Sequence, residues 1–135
     1  MQSPNPSTIF HLAIPTHDLN DAASFYEGTL GCQIARRYAD RITMNFYGAQ
    51  VVCHLAPDDI ANEIRVYPRH FGVTFNDALE FDSLCQRLEG AGVDFLEPPF
   101  VRWQGRIDEH RSVLLADPSN NVLEFKNYTH SSQRF

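Results

Sequence analysis

Along this chain, short runs of alternating apolar and polar side chains are separated by two stretches where apolar side chains recur every three or four residues. Alternation marks half-buried strands, and the longer period marks amphipathic helices. The first run is Ile9-Phe-His-Leu-Ala-Ile14, with Phe10, Leu12 and Ile14 on one face and His11 and Ala13 on the other. After a turn from Pro15 to Leu19, with Asp18 or Asn20 as cap, the residues Leu19, Ala22, Ala23, Tyr26 and Leu30 share a helix face that Gly31 ends. Strands are then predicted over Gln33–Tyr38, Ile42–Tyr47 and Gln50–Leu55. A polar connector leads to a second alternating run, His70-Phe-Gly-Val-Thr-Phe75. Phe81, Leu84, Cys85, Leu88 and Ala91 predict a second helix, closed by Gly90-Ala-Gly92. Strands are predicted after it at Val93–Leu96, around Phe100–Trp103, at Ser112–Ala116 and at Asn121–Lys126.

The same order of elements therefore occurs twice. The reading is a tail over 1–8, a first module over 9–57, a connector over 58–69, a second module over 70–128 and a tail over 129–135. The second copy is the longer one, with its extra residues around Val101 to Arg111. A chain of 135 residues supports one domain, or two small repeats sharing a core. Its 43% apolar and 21% charged residues are those of an ordinary globular protein.

The net charge of −6, with no basic run, argues against nucleic acid or an anionic membrane as partner. No apolar run approaches membrane-spanning length, and the polar start lacks the regions of a signal peptide, so a cytoplasmic location is expected. Cys32, Cys53 and Cys85 form no CxxC pair and sit among apolar neighbours, as buried thiols in a reducing compartment do.

Laid over itself, the chain pairs His11 with His70 and His54 with Glu124. The histidine faces of the two first strands carry the small neighbours Ala13 and Gly72, which leaves room beside each imidazole. A lone histidine in an apolar strand is ordinarily a hydrogen-bonded core residue. The weight comes from His11, His70 and Glu124 together, on equivalent faces of repeated units. Two histidines and one carboxylate form the facial triad that holds Fe(II), and the same donors suit Zn, Ni or Mn. A buried Glu124 is costly unless paired or coordinated. His54 is read as a fourth ligand or a hydrogen-bonding group behind the ligands.

The segments Phe10-His11-Leu-Ala-Ile14, Phe25-Tyr-Glu-Gly-Thr-Leu-Gly31, His70-Phe-Gly-Val73 and Asp117-Pro-Ser-Asn-Asn-Val-Leu-Glu-Phe125 resemble the vicinal oxygen chelate superfamily. That superfamily includes glyoxalase I, extradiol dioxygenases, fosfomycin-resistance thiol transferases and bleomycin-resistance proteins. The resemblance spans roughly Ile9 to Tyr128 and implies an α+β fold. Two tandem βαβββ modules would form a cup-shaped mixed sheet around a divalent metal, with helices on the convex side. It also implies His11, His70 and Glu124 as metal ligands, a small-molecule substrate and a homodimer. His54 falls where glyoxalase I-like members place a further carboxylate and dioxygenase-like members place none. Asn120 stands where the family's Asp-Pro-x-Gly-Asn turn has glycine.

Phe100–Arg111 is the second segment of interest. Arg102, Arg106 and Arg111 could meet a carboxylate, phenolate or enolate, with Trp103 beside them, or could simply be solvated charges on a hairpin. His54 and His110 are candidate catalytic side chains, His110 as a proton donor or acceptor. Asn45 and Tyr47 are candidate lining groups. The leading expectation is a metal-dependent, extradiol-dioxygenase-like oxidoreductase. The alternatives are a glyoxalase I-like lyase or isomerase, a fosfomycin-type thiol transferase, and a non-catalytic protein that sequesters a ligand.

Overall fold

A computed structural model describes residues 7–135, so most of the expected N-terminal tail lies outside the described residues. The chain divides into two compact units, the boundary falling between Ile60 and Ala61. Each unit is an α+β arrangement with one four-stranded mixed sheet.

In the first unit the sheet order is β1-β4-β3-β2, built from β1 (His11–Thr16), β2 (Gln33–Arg37), β3 (Arg41–Phe46) and β4 (Ala49–Leu55). β1 runs parallel to β4, and the other neighbours are antiparallel. Helix α1 (Leu19–Ala23) starts at Asp18, whose carboxylate accepts the Asp21 N–H at 2.8 Å. The helix then widens over Ser24–Thr29, where the Leu30 N–H reaches back five residues to the Phe25 carbonyl. Ala22, Ala23, Tyr26 and Leu30 are buried, together with Ile14, Ile42, Met44, Phe46, Val51 and Cys53 from one sheet face. The strand begins later than the alternation predicts, because Ile9 and Phe10 are exposed and outside it. At the β3–β4 hairpin Tyr47 (φ 52°) and Gly48 (φ 91°) both take positive φ, the two-residue turn whose twist matches its strands.

In the second unit the order is β5-β8-β7-β6, from β5 (His70–Phe71), β6 (Glu97–Arg102), β7 (His110–Ala116) and β8 (Val122–Tyr128). Helix α2 (Ala78–Gly90) is capped by Asp77, which accepts the Leu79 N–H, and buries Phe81, Leu84, Cys85 and Leu88. They pack with the sheet face that carries Val113, Leu115, Leu123 and Phe125. The two strands expected at Val93–Leu96 and near Phe100–Trp103 are replaced by β6 alone. Its register slips between Glu97 and Phe100, where Pro98 and Pro99 supply no ladder N–H.

The turn before β8 is held by one buried carboxylate. Asp117 accepts the Ser119 N–H at 2.8 Å, the Asn121 N–H at 3.0 Å and the Asn121 side-chain amide at 2.8 Å. Asn120 takes φ 64°, the left-handed conformation that explains why glycine or asparagine serves there. Asp117→Ala strands these donors, and an unfolding titration is expected to show a loss of about 2–3 kcal/mol.

Candidate functional site

His70 and Glu124 are the two expected metal ligands that the second unit brings together. Their side chains meet with Nε2 and Oε1 at 3.2 Å, the glutamate 6% and the histidine 27% exposed. The other ring nitrogen, Nδ1, lies 2.7 Å from the Val66 carbonyl. A carbonyl only accepts, so Nδ1 carries the ring proton and Nε2 presents a lone pair toward the carboxylate. A lone pair and a carboxylate oxygen at this distance repel unless a proton or a metal ion lies between them.

The donor set fits the metal. An imidazole oriented through its far N–H is the usual arrangement of a ligating histidine. Two ligands about 2.1 Å from an ion and at right angles lie roughly 3 Å apart. Among the described residues, no group of three or more His, Cys, Asp or Glu side chains is gathered to hold a metal ion. The third expected ligand, His11, is an exposed residue at the start of β1 in the first unit.

The strand registers revise the comparison of the two copies. In the first unit Ala13 stands opposite Val52, with His11 opposite Gln50. In the second, His70 stands opposite Val122 and Thr74 bridges Lys126, which sets Gly72 opposite Glu124. The counterpart of Glu124 is therefore Val52, not His54. His54 is exposed and stands opposite Pro15, four residues along the strands from His11, roughly 13 Å away.

The remaining candidates fall in several places. His110 is buried, faces Tyr128 at 4.7 Å and holds the Asp108 carbonyl at 3.0 Å through Nδ1. It stands opposite Tyr128, four residues along β8 from Glu124, again roughly 13 Å. Arg111 belongs to the helix face: its guanidinium meets Asp82 of α2 at 2.6 Å and lies over the Phe81 ring. Glu124 faces the other way, since its cross-strand neighbour is Leu114 while that of Arg111 is Asn127. Asn45 and Tyr47 serve the first unit's hairpin, where the Asn45 side chain accepts the Gly48 N–H at 2.8 Å.

Arg102 and Trp103 line a groove of about 530 Å³ in the second unit, together with Phe100, Leu114 and the connector residues Val66 and Tyr67. Tyr67 was not visible as a site residue in the sequence, because nothing distinguishes it within a polar connector. Its ring sets an edge against His70, with centroids 5.5 Å apart. The segment that follows Trp103 is pinned by Glu109, whose carboxylate accepts the Thr129 hydroxyl at 2.6 Å and the Gly105 N–H at 2.9 Å. Those two hydrogen bonds, the Thr129 one foremost, hold the Glu109 carboxyl below the usual range. Cys32, Cys53 and Cys85 are buried and in no disulfide, and burial pushes the Cys85 thiol up to about 11. A thiol so protonated at neutral pH is no nucleophile.

Residues 8–125 match the profile of the Glyoxalase/Bleomycin resistance protein/Dioxygenase superfamily. The chain belongs to that superfamily. A crystal structure of a glyoxalase/bleomycin resistance protein/dioxygenase from Alicyclobacillus acidocaldarius is 47% identical, with a TM-score of 0.94 over 98% of this chain and 100% of that one. A lactoylglutathione lyase from Agrobacterium tumefaciens is 20% identical, with a TM-score of 0.68 over 92% and 96% of the two chains. A fosfomycin resistance protein from Listeria monocytogenes is also 20% identical, with a TM-score of 0.68 over the whole of both. The last two share the superfamily's fold with this chain.

Proposed function

We propose that this superfamily member is a metal-dependent enzyme, acting on a small substrate that offers two adjacent oxygen donors. His70 and Glu124 hold a divalent ion, Fe(II), Zn, Ni or Mn, and His11 is the third donor, from the same chain or from a second copy in a homodimer. The observation that carries this reading is the His70–Glu124 pair, with Nε2 and Oε1 3.2 Å apart while Nδ1 is held on the Val66 carbonyl. When bound, the metal supplies Lewis acidity to the substrate oxygens and, if it is iron, oxygen chemistry. The chain's own part is to fix the imidazole tautomer through Val66 and to keep the carboxylate buried beside its cross-strand neighbour Leu114.

Val52 supports an order of preference among reactions. An aliphatic side chain where a four-ligand site would add a carboxylate favours the three-donor chemistries, extradiol-dioxygenase-like cleavage first and fosfomycin-type thiol transfer second. Glyoxalase I-like isomerisation loses its fourth ligand. No second carboxylate from β4 compensates, since His54 is imidazole.

Protein purified without chelator is expected to retain stoichiometric divalent metal by elemental analysis, and His70→Ala is expected to lose it. With Fe(II) restored, catechols are expected to drive oxygen uptake. Isomerisation of a hemithioacetal under Ni(II) or Zn(II), with no oxygen uptake, would transfer the site to the glyoxalase class despite Val52. No retained metal in either native or reconstituted protein removes the enzyme reading altogether.

A further inference from the structure

Of the three arginines between Phe100 and Arg111, two are already committed to carboxylates. Arg111 meets Asp82 at 2.6 Å, and Arg106 meets Asp108 at 3.0 Å. Among the described residues, no carboxylate lies within ion-pair distance of Arg102. Its Nη2 donates to the Tyr67 hydroxyl at 3.3 Å, and its guanidinium carbon lies 5.2 Å from the Phe100 ring centre and 5.7 Å from that of Trp103. A guanidinium with donors to spare, set among aromatic rings, is a recognition element for a planar anion.

The surroundings agree. The groove of about 530 Å³ is of small-ligand size. Trp103 holds φ 58°, a conformation that side chains disfavour, and is 46% exposed, with the Arg106 guanidinium carbon 4.9 Å from its ring centre. Leu114, in the same groove, is the direct cross-strand neighbour of Glu124. Glu97 also lines the groove and sets a limit, since a second negative charge on the ligand would meet it.

We propose that this groove binds a planar aromatic monocarboxylate, with Arg102 gripping the carboxylate and Trp103 and Tyr67 against the ring. The proposal rests on the reading of His70–Glu124 as a substrate site, for which it names the substrate class. Arg102 is the specificity-determining residue, distinct from Arg106 and Arg111.

Trp103 is the only tryptophan in the chain, so its emission reports on the groove without a label. The probes are benzoate, benzamide and cyclohexanecarboxylate, titrated into chelator-treated protein so that no metal contributes. Benzoate is expected to change the emission saturably, with benzamide about tenfold weaker because it lacks the charge. Cyclohexanecarboxylate is expected to bind more weakly than benzoate, because it offers no flat face to stack. Arg102→Gln is expected to lower benzoate affinity about tenfold, and Arg106→Gln to leave it within about twofold. Arg102→Lys, which keeps the charge without the fork, is expected to fall between wild type and Arg102→Gln, and it serves alone if the glutamine variant does not fold by circular dichroism. An absent or non-saturable response, equal affinity for benzamide, or an Arg102→Lys variant that binds like wild type overturns the proposal. Metal content is measured separately. Benzoate binding without metal retention would sink only the metal reading, and metal retention without benzoate binding would sink only this one.

Discussion

Gly72→Ala is expected to destabilise the protein by about 3 kcal/mol or more. A Cβ built on Gly72 falls 1.7 Å from the Glu124 carbonyl oxygen and 2.7 Å from its carbonyl carbon. Both are backbone atoms of β8, whose ladder to β7 runs unbroken from Val122 to Tyr128. They cannot rotate aside as a side chain would, so the β5 segment must part from β8. That segment is also secured by the Phe75 N–H on the Lys126 carbonyl at 2.7 Å, and by the Lys126 N–H on the Val73 carbonyl at 3.1 Å. Moving it also moves His70 away from Glu124, so the variant is expected to lose metal as well as stability. Gly28 supplies the control, because nothing lies within 4 Å of a Cβ placed there and Gly28→Ala is expected to be neutral or mildly stabilising. Urea unfolding of the two variants decides the matter: equal midpoints would mean that β5 and β8 do not approach as closely as the geometry requires.

Gly72 also shows what the sequence could and could not carry. Its small size was legible, and it suggested room beside the imidazole. The structure assigns it a different cause, backbone contact, which depends on a strand pairing that no local pattern encodes. His54 failed as the partner of Glu124 for a related reason. Sliding a strand by one residue swaps its faces and would have been obvious, but sliding it by two preserves every face. Parity therefore placed His54 on the correct side of the sheet and could not tell it from Val52. Arg111 shares parity with Val113 and Leu115, but Leu114 is apolar and buried too, so only its contacts with Asp82 and Phe81 identify the helix face. The meeting of His70 with Glu124 was visible because a histidine and a glutamate interrupt otherwise apolar strands. Tyr67 was not, since a connector has no period from which to read a direction.

Glu124→Met is expected to raise the stability of metal-free protein while abolishing its response to metal. Glu124 is 6% exposed, and among the described residues its ion-pair partner is His70. A carboxylate in that setting is poorly solvated, and one such pair rarely offsets the loss of water. Its neighbours Val122 and Leu114 are buried apolar side chains, so a methionine of similar length fills the space without a charge to compensate. His70 is left with solvent access and its Val66 hydrogen bond, so no buried group is stranded. A gain of about 1 kcal/mol or more is expected in chelator-treated samples. Wild-type protein, with free metal a thousandfold above its Kd, is expected to gain about 4 kcal/mol that the variant cannot. Thermal melts with and without metal separate the two accounts of Glu124. A carboxylate kept for structure would make the metal-free variant less stable than wild type. A carboxylate kept for an ion makes it more stable, and indifferent to the ion.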